Sequence, residues 1–308
     1  MTRRKRLTLF LGCTVVFIVS TVLMLAYSFG YRLSPDEWSI VQAGGLAVKA
    51  TPSVSARIFV NGKLLKETSL ISRRLTLGGL TPRTYNVKVE RTGYHSWEKS
   101  LAVKPELVTD VDAFLIKKDQ QPIRWTQNDS YARMSFVDAD QEIIALTSEN
   151  KKTSIYIDGA TGTILTKPSF RLASSSPALS KRAKAFIHER GITAFRYDPY
   201  GERLLWWDTD ALHVRWLQGE DYLPLYTERT EIEIRNIAGG IRTAEWYPGR
   251  EGLLVAHGDS ISALELDPRD RRNIYPIFTG SKPDILVSSS NELLYILSDH
   301  SLSVLPIE

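Results

Sequence analysis

Residues 84–90, Thr-Tyr-Asn-Val-Lys-Val-Glu, alternate between polar and apolar side chains after the first position. A period of two is typical of a β-strand with one buried face, and it predicts that Tyr85, Val87 and Val89 point into a core. Other apolar runs of similar length occur on both sides of this strand, at residues 46–50, 56–60, 74–77, 97–103 and 108–116. The region from residue 44 to residue 117 is therefore predicted to be all-β.

Glycine-containing turns separate these runs. Asn61-Gly62 joins two of them with only two residues, and both residue types tolerate a positive φ, so the pair predicts a tight β-hairpin. Gly78 to Pro82 and Gly93-Tyr94 provide two further turns. A series of short strands joined by such turns is typical of a small β-sandwich.

Several of these residues resemble the PEGA domain, a small β-sandwich of prokaryotic surface proteins. Gly45 to Val48 is similar to the opening of the family pattern, and Asn61-Gly62 is similar to its hairpin turn. Leu80 to Val89, followed by Gly93-Tyr94, is similar to its most specific part. The sequence departs from the pattern at Pro52 to Ala56, where Pro-Glu-Gly-Ala is expected, and it lacks the Gly-x-Thr-Pro that usually follows the hairpin turn. The resemblance implies a sandwich and no catalytic residue.

A second pattern extends from residue 118 to residue 308. Pairs of apolar strands repeat along it, at residues 142–146 with 153–158, 184–187 with 192–197, 203–207 with 212–216, 252–256 with 260–267, and 292–297 with 302–305. Most pairs begin roughly 40 to 50 residues after the previous one, close to the length of a four-stranded β-propeller blade. The second and third pairs begin only 19 residues apart, so one of them is predicted to belong within its neighbour's blade.

Two turns in this region resemble those of WD40-like and TolB-like propellers. Trp246 to Gly249 is similar to a turn between successive strands of such a blade, and Asp158 to Leu165 is similar to the hairpin between a blade's outer strands. The resemblance implies a propeller-like domain over residues 118–308. This length allows four or five blades, in a ring that is either closed or incomplete.

Residues 7–31 contain no charged side chain and directly follow a basic cluster at residues 3–6, Arg-Arg-Lys-Arg. A helix of 25 residues is about 37 Å long, enough to cross the roughly 30 Å hydrocarbon core of a membrane. The cations before the span, with Asp36 and Glu37 after it, predict that residues 1–6 are cytoplasmic and that the rest of the chain is extracytoplasmic.

A cleaved signal peptide is the alternative, because it also begins with a basic segment followed by an apolar one. The apolar run is longer than is usual for a signal peptide, and its end, Leu25 to Gly30, offers no clean cleavage site. Leu11-Gly12-Cys13 resembles a lipoprotein cleavage motif but lies too close to the basic cluster. These features favour an uncleaved anchor with Cys13 inside the span, followed by a polar linker at residues 32–43.

The charge of the chain excludes a general attraction to nucleic acid. Of the 39 Lys and Arg residues, five lie in residues 1–32 with no acid, which leaves 34 against all 35 Asp and Glu in the remainder. Arg269 to Arg272 is a local basic turn that is predicted to be a solvated hairpin tip. The single cysteine lies in the predicted span, so the exported part has no disulfide and no cysteine metal site.

Residue types that could carry chemistry are scattered along the chain. The five histidines occur singly, without metal-ligand spacing, at His95, His188, His213, His257 and His300. Asp138, Asp140 and Glu142 alternate as calcium ligands could, but no glycine follows at the position that a calcium loop needs. The sequence contains no phosphate-binding glycine motif and no Gly-x-Ser-x-Gly elbow. It therefore predicts no catalytic residue, no metal and no cofactor.

Aromatic residues are the remaining candidates, because exposed rings can stack on sugars or peptides. Six of them fall within about forty residues: Trp206, Trp207, Trp216, Tyr222, Trp246 and Tyr247. Large side chains on alternating strands usually fill a core. Most of these rings are therefore predicted to fill the space between blades.

These features predict a non-enzymatic, single-pass surface protein of a prokaryote. Its PEGA-like stalk would present a propeller-like domain that binds a protein, a peptide or an envelope glycan. The alternative is an extracytoplasmic hydrolase or lyase whose site is distributed around the propeller channel. Acids and histidines that converge at one mouth of the ring would favour the enzyme, and a bare or aromatic-lined mouth would favour binding.

Overall fold

The structure is a computed structural model that divides into two compact units. One comprises Met1–Leu115 with Arg269–Arg271, and the other comprises Ile116–Pro268 with Arg272–Glu308. The structure describes residues 3–34, 38–52, 55–67, 74–126, 130–137, 142–150, 154–165, 181–198, 201–217, 231–249, 252–288, 290 and 292–307.

The first unit begins with a single long helix, α1 (Arg3–Ser28). Its segment from Lys5 to Ser28 has a mean hydropathy of 2.5 in its most apolar window, none of which is buried, and it is long enough to cross a membrane. The hydroxyl of Thr14 donates to the carbonyl oxygen of Phe10, and that of Thr21 to the carbonyl oxygen of Phe17. Polar side chains that bond their own helix in this way add little cost in an apolar environment.

Among the described residues of the first unit, nine strands follow the helix. They are β1 (Tyr31–Ser34), β2 (Ser39–Gln42), β3 (Gly44–Thr51), β4 (Arg57–Val60), β5 (Lys63–Glu67), β6 (Arg74–Leu80), β7 (Thr84–Glu90), β8 (Trp97–Ala102) and β9 (Val108–Phe114). The strands form a β1-β2 hairpin, a three-stranded sheet in the order β6-β3-β9 and a four-stranded sheet in the order β5-β4-β7-β8. In the three-stranded sheet, β3 pairs antiparallel with β6 and parallel with β9.

The alternation that predicts the core of this unit is confirmed in β7. Tyr85, Val87 and Val89 are buried, whereas the residues between them are partly exposed. The predicted hairpin turn also forms, since Asn61 and Gly62 both have a positive φ between β4 and β5. Alternate side chains are also buried along β8, which pairs with β7. In β3, the middle strand of the three-stranded sheet, the five consecutive residues 44–48 are buried, so the alternation does not extend to this strand.

The segment predicted to be a polar linker, residues 32–43, instead contains the β1-β2 hairpin. Leu33 pairs with Ile40 across it, and the backbone N–H of Ala43 donates to the carbonyl oxygen of Gly30 at 2.8 Å, closing its base. The apolar residues at alternate positions, Tyr31, Leu33 and Ile40, are the reason that strands form here. Residues 35–37, including the acids Asp36 and Glu37, lie outside the described residues.

The basic turn at residues 269–272 is exposed at Asp270 and Arg271, and it also makes contacts that the sequence does not predict. Arg269–Arg271 belong to the first unit, in which Nζ of Lys99 donates to the carbonyl oxygen of Arg269 at 2.7 Å. The backbone N–H of Ser100 donates to the Asp270 carboxylate at 2.8 Å and lowers the pKa of that carboxyl. The reason is that Lys99 is fully buried, and a buried ammonium requires acceptors.

The second unit contains one short helix and sixteen strands among its described residues. They are β10 (Ile123–Arg124), β11 (Tyr131–Phe136), β12 (Ile143–Ser148), β13 (Ser154–Asp158), β14 (Ile164–Leu165), α2 (Lys181–Glu189), β15 (Phe195–Tyr197), β16 (Arg203–Trp207), β17 (Ala211–Trp216), β18 (Glu231–Arg235), β19 (Ile241–Trp246), β20 (Gly252–His257), β21 (Ser260–Glu265), β22 (Ile274–Thr279), β23 (Asp284–Ser288), β24 (Leu293–Ser298) and β25 (Ser301–Pro306).

These strands form four antiparallel sheets of four strands each. Three sheets consist of consecutive strands, β11 to β14, β15 to β18 and β19 to β22, and the fourth has the order β10-β25-β24-β23. The first strand of the unit therefore completes the last sheet. Successive four-stranded sheets, with the last one completed by the first strand of the unit, are the arrangement of β-propeller blades.

Apolar cores lie between these sheets. One core joins the second and third sheets through residues such as Leu212, Ile232 and Val255. Another joins the first and fourth sheets through residues such as Ile144 and Tyr295. The first strands β15, β19, β23 and β11 are also neighbours in that order. The propeller-like region predicted from the sequence is thus present.

The predicted strand at residues 184–187 is wrong, because these residues belong to α2. Ala183, Phe186 and Ile187 have helical spacing, and Lys, Ala and Glu around them favour a helix. Each of the other four predicted pairs forms the two middle strands of one of the four sheets. The predicted outer hairpin from Asp158 to Leu165 joins β13 to β14.

Candidate functional site

Buried polar side chains occur where the first strands of successive sheets meet in the second unit. β19 lies next to both β15 and β23. Half of the six residues of β19 are polar, and two of these are buried: Thr243, which is 9% exposed, and Glu245, which is 7% exposed. Polar groups buried to this extent need hydrogen-bond partners.

Both side chains find those partners on neighbouring first strands. Oε1 of Glu245 accepts a hydrogen bond from Nε of Arg196, on β15, at 2.6 Å. The Thr243 hydroxyl donates to Oδ1 of Asp284, the first residue of β23. We call Arg196, Glu245, Thr243 and Asp284 the polar bridge, because together they link the first strands of three consecutive sheets.

The environment of the polar bridge changes the acidity of its buried carboxyl. Burial raises the pKa of Glu245 to about 7, because the loss of hydration outweighs the attraction of Arg196 and because Asp284 adds repulsion. The Arg196 guanidinium lies 5.6 Å from the centre of the Trp207 ring and donates to the carbonyl oxygen of Phe195 at 3.0 Å. Arg196 is therefore held from several sides, and Glu245 is expected to exchange its proton near neutral pH.

A second ion pair lies close to the polar bridge in sequence. Nε of Arg203 donates to Asp198 at 3.1 Å, and both side chains are buried. The Asp198 carboxylate also accepts the backbone N–H groups of Glu202 and Arg203. The Arg203 guanidinium lies 4.6 Å from the centre of the Trp246 ring. This pair closes the turn between β15 and β16, so we assign it a structural role.

The polar bridge offers limited chemistry. Glu245 could give or take a proton, but the one hydroxyl of the bridge, that of Thr243, donates to the Asp284 carboxylate. Within the described parts of the chain, no group of three or more His, Cys, Asp or Glu side chains could hold a metal ion. The arrangement can therefore align strands and respond to pH, and it provides one acid for any proton transfer.

The histidines named in the sequence analysis make their contacts with residues outside the polar bridge. The ring nitrogens of His257 contact the carbonyl oxygen of Ala238 at 2.8 Å and the Ser262 hydroxyl at 2.9 Å. The ring of His213 stacks on Trp206 with a centroid separation of 5.0 Å. His188 and His300 are exposed, and His95 lies in the first unit. Of the three possible calcium ligands, Asp138 and Asp140 lie outside the described residues, and Glu142 is exposed.

The aromatic residues mostly fill the interior, as the sequence predicts. Trp206, Trp216, Trp246 and Tyr247 are buried. Trp207 is half-buried and donates from Nε1 to the carbonyl oxygen of Arg242 at 3.1 Å. Tyr222 lies outside the described residues. These rings therefore do not form an exposed stacking surface in the described part of the second unit.

Sequence reasoning missed all four residues of the polar bridge. The available signal is a charge flanked on both sides by apolar or aromatic residues, as with Arg196 between Phe195 and Tyr197 and with Glu245 between Ala244 and Trp246. Such a charge indicates a buried partner. The sequence does not show which partner, because the bridge joins strands that are far apart along the chain.

No protein-family model matches this sequence, and no curated protein is similar to it. Among solved structures, the chain is similar to the β-propeller domain of Cps50 (Swd1) from Myceliophteria thermophila, with 14% identity and a TM-score of 0.27. That similarity covers 58% of this chain and 50% of the other, so the chain spans about half the length of that domain. A chain of the mitotic checkpoint complex gives 10% identity and a TM-score of 0.28, covering 80% of this chain and 67% of the other.

These two similarities are too weak to carry an argument. The propeller-like arrangement of the second unit rests instead on its own strand order, above all on the pairing of β10 with β25.

Proposed function

We propose that this chain is a non-enzymatic surface protein, anchored in a membrane by α1, that displays a propeller-like binding module outside the cell. The observation that carries the proposal is the helix itself. Its Lys5–Ser28 segment is long enough to span a bilayer, strongly apolar and unburied. Four cations at residues 3–6 lie at its N-terminal end, and the positive-inside rule then favours a cytoplasmic N-terminus.

The two β-rich units suit the display of a binding surface. We propose that β3 to β9 form a PEGA-like sandwich, supported by the alternation in β7 and the Asn61-Gly62 turn. We further propose that the four sheets of the second unit are four blades of a small propeller, whose loops bind a protein, a peptide or an envelope glycan. Rigid loops on a closed scaffold are a common basis for recognition.

One observation favours the competing function of an extracytoplasmic enzyme. Glu245 is a buried acid with a pKa near neutrality, and such groups are frequent at catalytic sites. Its contacts with Arg196 and its position between sheets are equally expected of a structural ion pair. We favour binding because the one hydroxyl of the polar bridge, that of Thr243, is buried and donates to the Asp284 carboxylate.

The single cysteine provides a direct test of the anchor. Cys13 lies within α1. If α1 is retained, the denatured mature protein will react with one equivalent of a thiol reagent; if α1 is cleaved as a signal peptide, the mature protein will contain no thiol. In membranes, a charged maleimide should fail to reach Cys13 until detergent is added. Complete absence of a thiol from the mature chain would contradict anchoring.

Topology is tested in a Cys13→Ser background. Lys63→Cys, at an exposed position of β5, and Ala160→Cys, in the exposed turn after β13, report on the two units. Both should react with an impermeant maleimide on intact cells. Reaction only after cell lysis would place the units in the cytoplasm and would contradict surface display.

Binding and catalysis are separated with the full-length protein in detergent. The binding proposal expects a saturable interaction with peptidoglycan fragments or with an envelope protein, and no turnover of ester, glycoside, peptide or phosphate substrates. Turnover that disappears in a folded Glu245→Gln variant would establish the enzyme instead.

A further inference from the structure

The β1-β2 hairpin presents an unusual apolar face to the outside. In the register of the hairpin, Tyr31, Leu33 and Ile40 lie on one face, since Leu33 pairs with Ile40 and side chains alternate between faces along a strand. These residues are 43%, 58% and 73% exposed. Trp38, at the end of the turn, is 82% exposed and has a positive φ. A set of neighbouring exposed apolar residues such as this one indicates an interaction surface.

The opposite face of the hairpin is occupied within the first unit. Nη1 of Arg32 donates to the carbonyl oxygens of Tyr27 and Tyr31 at 2.8 and 2.9 Å, and the guanidinium lies 3.6 Å from the centre of the Tyr27 ring. The same side chain lies against β6, where a Cβ at Gly79 would come within 3.2 Å of it. Arg32 thus packs the polar face against the helix end and β6, leaving the apolar face uncovered.

The position of the hairpin identifies what covers that face. The backbone N–H of Gly30 donates to the carbonyl oxygen of Tyr27, and Ala43 donates to Gly30, so the hairpin continues directly from the end of α1. The polar headgroup layer on each side of a bilayer is roughly 5 to 8 Å thick. A strand of four residues is about 13 Å long. A hairpin that starts at the helix end therefore begins within the headgroup layer.

The composition of the apolar face also fits this layer. Trp and Tyr are enriched at membrane interfaces, where an amphipathic ring has both apolar and polar surroundings. Arg32 can keep its guanidinium among carbonyl oxygens and headgroups while its stem covers apolar surface. A protein partner would not require the face to begin at the level of the membrane surface.

We propose that the β1-β2 hairpin is a second membrane contact, with Tyr31, Leu33, Trp38 and Ile40 lying in the outer headgroup region of the lipid bilayer. This inference rests on the anchoring of α1 in the proposed function. It assigns residues 31–42 the role of a lipid-bound collar that holds the first unit close to the membrane, in place of a free tether.

The test uses the full-length protein in vesicles of phosphatidylethanolamine and phosphatidylglycerol. In a Cys13→Ser background, an environment-sensitive fluorophore is attached at Ile40→Cys, at the exposed control position Lys63→Cys, or at Val15→Cys within α1. Lipids that are spin-labelled near the headgroup, or deep in the acyl chain, serve as quenchers. Ile40 and Lys63 are both exposed strand positions, so neither change should disturb folding.

The proposal expects the shallow quencher to reduce emission from Ile40→Cys about twofold or more, because both would lie at the interface, and to leave Lys63→Cys unchanged. The deep quencher should act on Val15→Cys. If Val15→Cys is quenched but Ile40→Cys behaves like Lys63→Cys, the collar is wrong and the anchor stands. If neither is quenched, the anchor and the collar both fail. Emission at Ile40→Cys that depends on protein density, but not on the lipid quencher, would instead assign the face to a second copy of the chain.

Discussion

Strands β7 and β24 show two different ways in which a strand is buried, and β3 of the first unit, with residues 44–48 all buried, resembles β24 rather than β7. In β7 the side chains alternate between buried and partly exposed, so this sheet has one packed face. In β24 five consecutive residues, Leu294 to Ser298, are buried. Consecutive residues point to opposite faces of a sheet, so both faces of β24 are packed.

The difference teaches what each sheet needs from its neighbours. A sheet with one packed face can be completed by a single partner layer, as in a sandwich. A sheet with two packed faces needs a neighbour on each side, as a propeller blade does. Strand β20, with residues 252–256 all buried, follows the second pattern. The four predictions below test this contrast, beginning with the largest expected effect.

The strongest test replaces two consecutive residues of β24. Leu294 and Tyr295 are both fully buried, so Leu294→Ala and Tyr295→Ala should each lower the free energy of unfolding of the second unit by about 3 to 5 kcal/mol. Urea titration, with hydrogen exchange measured separately for peptides of each unit, provides the values.

A milder change at the same position isolates one contact. The Tyr295 hydroxyl donates to the carbonyl oxygen of Gly159 at 2.6 Å, so Tyr295→Phe should cost only about 1 to 2 kcal/mol. A large effect at just one of residues 294 and 295 would mean that β24 has a single packed face, and the contrast with β7 would be lost.

The second test concerns the buried carboxyl of the polar bridge. Glu245 in the unfolded chain loses its proton near pH 4.5, and in the folded chain near pH 7. Between these values the folded state binds more protons, so the stability of the second unit should fall as the pH rises, by up to about 3 kcal/mol. Glu245→Gln should remove this part of the pH dependence.

The measurement is the free energy of unfolding at intervals between pH 4.5 and pH 8, for the parent and for Glu245→Gln. In the variant, Arg196 and Asp284 remain as the charged groups near residue 245. If the free energy of unfolding changes with pH equally in the parent and in the variant, folding does not raise the pKa of Glu245.

The third test applies the single-face pattern to the first unit. Val87→Ala should lower the free energy of unfolding by about 1 to 3 kcal/mol, because a fully buried branched side chain is lost. Lys88→Ala, one residue further along β7, should leave stability unchanged within error. An effect at Lys88 as large as that at Val87 would show that the packed face has been assigned wrongly.

The smallest expected effect is at the β4-β5 turn. Gly62 has a φ of +76° and no heavy atom near the position of an added Cβ, so Gly62→Ala should cost about 1 kcal/mol from backbone conformation alone. Gly78, which also has open space but lacks the positive φ, is the matched control. Equal effects from Gly62→Ala and Gly78→Ala would rule out this explanation.

The sequence predicts those parts of the fold that depend on local signals. Asn61-Gly62 and the Asp158 to Leu165 hairpin are such signals, since turn residues act over a few positions. The alternation in β7 is another. The hairpin at residues 31–42 and the helix α2 were not predicted, because a short apolar run of a few residues fits a strand, a helix or a spacer almost equally well.

The polar bridge was not predictable for a different reason. Arg196, Glu245 and Asp284 come from three sheets, and their association depends on how the sheets pack rather than on the sequence near each residue. The sequence predicts the individual strands, but the order in which the sheets pack against one another is a property of the tertiary structure. A single sequence provides the charges and leaves their partners open.

The pairing of β10 with β25 has a consequence for how the second unit is made. The backbone N–H of Trp125 donates to the carbonyl oxygen of Leu302, and the N–H of Leu302 donates to the Thr126 hydroxyl, both at 2.9 Å. Because a polypeptide is synthesised from its N-terminus, β10 stays unpaired until β25 has been made. A product that stops before Ser301 leaves edges on both β24 and β10 unpaired, and such edges attract aggregation and proteolysis. Truncated translation products are therefore expected to be cleared, whereas finished ones survive.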